Sequence, residues 1–110
     1  MRLFQLKSTI NSGKFPKDHP HFGGANLIIT DDPNRKHHQW DIVIQTVHAG
    51  ALSWLVVELK NIFEDSLNYR NKFDFYPYIG KLIQESVKAN DDLFETMLYI
   101  VEKLEDEWEK

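Results

Sequence analysis

Trp40-Asp41-Ile42-Val43-Ile44-Gln45-Thr46-Val47 admits two secondary structures, and the choice between them settles the architecture. As a strand, it closes a hairpin and makes the chain α+β; as the opening of a long helix, it makes the chain a bundle. Both patterns are present, because Ile44, Val47, Ala51 and Leu55 also fall at helical spacing. The strand is favoured: four of the six residues from 42 to 47 are Ile or Val, whose branched side chains suit a pleated surface, and Gly50 follows closely.

Upstream, Asn26-Leu27-Ile28-Ile29-Thr30 supplies the partner strand, and Asp31-Asp32-Pro33-Asn34 stops it with side chains that bond their own backbone and a fixed proline φ. Gly13, Pro16, Pro20, Gly23 and Gly24 make residues 11–24 an irregular loop. Gly23-Gly24 lacks the Lys-Ser/Thr of a phosphate loop and is read as a tight turn. Leu3, Phe4 and Leu6 suggest a further strand over residues 2–8.

Downstream the signal becomes helical. Leu52, Leu55, Val56, Leu59, Ile62, Phe63 and Leu67 form one stripe, which predicts a helix over residues 51–69. Ile79, Leu82, Ile83 and Val87 form a second, with Pro77 expected in its first turn and its end near Ala89-Asn90. In the last helix, either Asn90 or Asp92 can cap, the latter with Glu95 three residues on. Phe94, Met97, Val101, Leu104 and Trp108 then step along its seam. The expected fold is α+β: one domain, residues 1–110, with a small antiparallel sheet from the N-terminal half covered by three C-terminal helices. A mostly α-helical bundle is the alternative.

Charge is unevenly placed. Residues 1–40 carry net +3, residues 41–90 net −1, and residues 91–110 net −6, within an overall −4. A net-acidic chain lacks the clustered basic face that phosphates demand, so nucleic acid is not expected as a direct partner. Residues 42–59, the longest apolar-rich stretch, are interrupted by Gln45, Thr46, His48, Ser53 and Glu58, so no membrane span is expected. The chain has no cysteine, which removes disulfides, thiolate metal sites and cysteine nucleophiles, and the cytoplasm is the expected location.

No motif specifies an enzyme and no cofactor is expected. The metal candidates are His19, His21, His37 and His38 in loops near Asp18, Asp31 and Asp32, without a spaced ligand set such as HExxH. Lys36 beside His37 and His38 has the residue types for acid–base cleavage of RNA, but neighbours on an extended chain point to opposite sides.

The extended surface feature is the last helix, with Asp91, Asp92, Glu95, Glu102, Glu105, Asp106 and Glu109 as candidate partner-binding carboxylates. Tyr76, Tyr78 and Trp108 are candidate anchors, with closure of the core end as their structural role. Together these features predict a small acidic binding protein of the immunity or antitoxin type, neutralising a basic protein partner such as a nuclease toxin by occluding its cleft. A small His/Asp metal-dependent hydrolase, a phage or regulatory interaction domain, and a homo-oligomer built on the Met97–Trp108 seam are the alternatives.

Overall fold

A computed structural model describes residues 2–21, 24–29, 42–65 and 72–108. Within them the order is α1 (Leu3–Ser12), β1 (Asn26–Ile29), β2 (Ile42–Gln45), α2 (Ala49–Asp65), α3 (Lys72–Ala89) and α4 (Leu93–Trp108). The two strands pair antiparallel, with Asn26 opposite Gln45 and Ile29 opposite Ile42. The chain is thus α+β with a two-stranded antiparallel sheet and a predominance of helix. The β-branched stretch at 42–45 is a strand, as its composition required. Residues 30–41, which join the strands and include Asp31, Asp32, His37 and His38, lie outside the described residues, as do Leu67 and Glu109.

The expected first strand at residues 2–8 is a correction: this segment is α1. Leu3, Leu6 and Ile10 are its buried side chains, spaced i, i+3, i+7, while Phe4 faces out at 57% exposure. Three apolar residues in a short window fit either period; Ile10 decides for the helix. Gly13 ends α1 with φ 74°, donating its N–H to the Ile10 carbonyl at 3.0 Å. That left-handed backbone favours glycine because it carries no Cβ.

A second correction concerns α3. It begins at Lys72, so Pro77 lies in its second turn rather than its first. Proline removes one backbone donor there, but the helix extends backwards because Phe75, 2% exposed, continues the buried stripe of Ile79, Leu82 and Ile83. α4 starts as the second capping alternative requires: Glu95 N–H donates to Asp92 Oδ2 at 3.0 Å. Asn90 instead closes α3, its backbone and side-chain nitrogens both donating to the Ser86 carbonyl.

The helices split the molecule into two sides. α2 and α3 pack on the sheet, while α4 lies between α1 and α3. Leu6, Leu52, Leu55, Leu59, Ile79, Ile83, Met97, Ile100 and Leu104 are each fully enclosed in one continuous core. Two glycines admit close approaches. A Cβ on Gly50 would meet the backbone of residues 17–19, and one on Gly80 would meet the Ile42 side chain. The loop before β1 is therefore seated on the start of α2, and β2 is seated on α3.

Candidate functional site

α4 presents three flanks. Its core flank carries Met97, Ile100, Val101 and Leu104. On the side of α1, Lys7 Nζ reaches Glu105 at 3.3 Å and Glu102 at 3.5 Å, and the Glu105 hydrogen bond raises the Lys7 pKa above its ordinary 10.5. On the side of α3, Glu107 accepts a hydrogen bond from the Tyr78 hydroxyl. Between these flanks Glu95 and Asp106 share the outward face at helical spacing, with Glu102 at its border with α1, all three exposed, and with exposed Asp91 and Asp92 at its N-terminal end. Lys103 lies over the Tyr99 ring on the same surface, at 5.6 Å from its centroid.

The carboxylates singled out from sequence therefore separate by circumstance. Asp91, Glu95 and Asp106 are exposed, Asp92 is exposed but caps the helix, and Glu102 and Glu105 face a cation of the same chain. The aromatics are drawn inward. Trp108 lies 5.5 Å from the Phe63 ring and 6.4 Å from Phe75, so this domain itself covers much of it. Tyr76 packs edge-on against Phe75 at 5.2 Å and lies beneath Lys60 Nζ at 5.5 Å; Tyr78 is half-buried.

A polar knot holds α4 to α3. Ser86 and Thr96 are buried, and Ser86 Oγ donates to the Thr96 carbonyl at 2.9 Å. Thr96 Oγ1 donates back to the Asp92 carbonyl at 2.9 Å. Buried hydroxyls without partners are costly, so this pairing fixes how the two helices meet and hence where the acidic face points.

A cleft of about 330 Å³, lined by no described residue of α4, was not foreseen from the sequence. Its walls are the His19-Pro20-His21 loop, the three β1 residues Leu27, Ile28 and Ile29, and Tyr76. Ser53, Val56, Val57, Lys60 and Asn61 form the facing wall from α2, spaced i, i+3, i+4, i+7, i+8. The signal in the chain is a single residue: Val57, 43% exposed, lies off the stripe of Leu52, Leu55, Val56 and Leu59.

Two of the weak metal candidates, His19 and His21, thus come to one cleft. His19 Nδ1 lies 3.1 Å from the Pro20 carbonyl, which can only accept, so Nδ1 is the donor in this contact. Among the described residues no three His, Cys, Asp or Glu side chains gather as a metal-ligand set, and no helix is long and apolar enough to cross a membrane. The chain matches no protein-family model, no curated protein and no solved structure.

Proposed function

We propose that this chain is a small acidic binding protein that docks on a basic protein partner through the outward face of α4. The observation that supports it is the arrangement of exposed Glu95 and Asp106, with Glu102 beside them and Asp91 just before the helix, on an α4 whose opposite flank is locked into the core. A helix already held in the core loses little backbone freedom on binding, and complementary charge raises the association rate and discriminates among partners. In the finer reading the partner is a toxin such as a nuclease, neutralised in the manner of immunity proteins and antitoxins. A nuclease cleft is built for phosphates, and a row of carboxylates offers it negative charge in their place. The absence of cysteine suits a reducing cytoplasm as the place where such a protein acts.

The test reverses charge where the carboxylates are exposed, with Glu95→Lys and Asp106→Lys combined. Both side chains are exposed, and lysine opposes the helix dipole at Glu95 in the first turn but suits it at Asp106 in the last, so circular dichroism and the urea midpoint stay close to those of the original chain. Immobilised original and reversed proteins are then exposed at low salt to the native host's extract. The original protein is expected to capture a basic protein, with capture falling at least about tenfold on reversal and again between roughly 0.05 and 0.3 M salt. Capture that survives reversal and salt sinks the acidic-face reading; equal capture of neutral or acidic proteins sinks it too.

A further inference from the structure

The cleft beside β1 has a geometry that a strand can complete. Side chains of successive strand residues point to opposite faces, so a cavity lined by Leu27, Ile28 and Ile29 together cannot lie over one face of the sheet. No described residue of β2 lines it. The cleft therefore runs along the edge of β1 that faces away from β2, with the α2 stripe as its far wall.

The register tells which backbone groups meet it. Thr46 N–H donates to the Ala25 carbonyl at 3.3 Å, making residues 25 and 46 a hydrogen-bonded pair. Such pairs alternate along an antiparallel ladder, so Leu27 with Ile44 and Ile29 with Ile42 are bonded pairs. Asn26 and Ile28 then aim their N–H and C=O groups away from β2, and of these two Ile28 lines the cleft. Among the described residues β1 has a strand neighbour on one side only.

We infer that the cleft takes an extended peptide segment of a partner protein, added as a third strand on β1, with apolar residues alternating with carboxylates. Ile28 supplies the main-chain donor and acceptor. Val56 and Val57, half-buried and 43% exposed respectively, supply the apolar wall for every second peptide side chain. The carboxylates follow from the lining: Lys60, which also pairs with Glu64 at 3.8 Å, brings positive charge, the His19 and His21 rings bring nitrogens that can donate, and among the described residues no Asp or Glu lines the cleft. β1 spans four residues, or roughly 13 Å, enough to align about four residues of the peptide. This surface lies apart from the acidic face of α4, and the inference does not depend on that face having a partner.

The test uses the full chain and two synthetic peptides, one alternating Val/Ile with Asp/Glu and one alternating Val/Ile with Lys. Amide spectra of ¹⁵N-labelled protein are followed up to millimolar peptide. The acidic peptide is expected to shift the amides of Asn26, Ile28, Val56 and Val57 and to slow hydrogen exchange at Ile28 at least about tenfold, the worth of one added hydrogen bond. N-methylating the peptide backbone at alternate positions removes its donors and weakens binding about tenfold or more in one of the two registers. Val57→Glu weakens binding at least about tenfold through lost apolar contact and repulsion, whereas Asp106→Lys on α4 leaves it unchanged. Four results would overturn the proposal: no shift at these amides, an Ile28 amide already protected in the free protein, equal binding of the basic peptide, or indifference to N-methylation in both registers. The last would identify an apolar ligand site rather than a strand site. Spectra of the original chain separate these outcomes whether or not the Val57 variant folds.

Discussion

Gly50→Ala is the substitution that most directly probes how the cleft is built. A Cβ at this position would stand 2.5 Å from the Lys17 carbonyl oxygen, 3.0 Å from Asp18 Cα and 3.2 Å from His19 N. All three are backbone atoms, so no side-chain rotation relieves the overlap. In a helix the exchange would otherwise gain up to about 1 kcal/mol, because alanine loses less freedom on folding than glycine. Against that stands overpacking at a close contact, about 1–3 kcal/mol. We expect a net loss of about 1 kcal/mol, with the loop of residues 17–21 displaced from α2. At a denaturant slope of about 1–3 kcal/mol per molar for a domain of this size, the urea midpoint falls by roughly 0.3–1 M. Amide shifts should concentrate at residues 17–21 and at Ser53 and Val56 across the cleft. Gly80→Ala serves as the comparison. Its Cβ would meet the Ile42 side chain, whose Cδ1 and Cγ2 can move by rotation about χ2 and χ1, although Cβ at 3.3 Å cannot. It should therefore cost less than Gly50→Ala. A Gly50→Ala protein as stable as the original, or shifts confined to α2, would mean that the loop is not seated on that helix.

Three further outcomes follow from contacts already described. Asp92→Ala removes the side-chain acceptor for the Glu95 N–H and should cost about 1 kcal/mol in urea unfolding, with Asp92→Asn recovering most of it. Ser86→Ala leaves the Thr96 carbonyl without its buried hydroxyl donor and should cost about 1 kcal/mol, while exchange quickens for amides of the first turns of α4. Lys7→Met tests the pairing of α1 with α4: folding raises the Lys7 pKa above 10.5, so its stabilisation is complete below that pH and disappears as pH climbs through the raised value. The difference in urea midpoint between the original and Lys7→Met should accordingly stay constant from neutral pH to about 10 and close above it; a difference that closes on the acid side of 10 contradicts the pairing.

What can be read from sequence follows the strength of the local pattern. α4 is legible because its apolar period runs over four turns and its start carries a cap with a partner three residues on. β2 is legible because Ile42, Val43 and Ile44 are β-branched in succession. α1 is open to misreading because Leu3, Phe4 and Leu6 fit two periods, and only Ile10, one turn further, separates them. The start of α3 is hidden by Pro77: a proline marks a first turn in isolation, but the packing of Phe75 against Phe63 holds the preceding turn in place, with ring centroids 5.3 Å apart. The cleft is illegible for a different reason. It is formed by a loop, a strand edge and a helix stripe distant from one another along the chain, and no local pattern records that they meet. Val57, apolar yet 43% exposed on α2, is the one local trace, and one such residue does not say what it faces.

The same folding rearranges the charge that the sequence displays. Along the chain the basic residues stand at one end and the acidic ones at the other, as though the protein had two poles. α1 packs on α4, however, and brings Lys7 against Glu102 and Glu105. Lys7 and Glu105 are half-buried and Glu102 is exposed, so these contacts contribute modestly to stability, but they set Glu102 and Glu105 apart from the carboxylates left open on α4. Reversing Glu105 would set a lysine against Lys7 and disturb the joint between the helices, so a lost interaction could be blamed on the fold. Glu95 and Asp106 lie on the outward face, clear of both flanks, and their reversal changes the field without touching that joint. A basic partner that reads α4 must therefore approach the Glu95–Asp106 face rather than the α1 side, and its affinity should be more sensitive to Glu95→Lys than to Glu105→Gln.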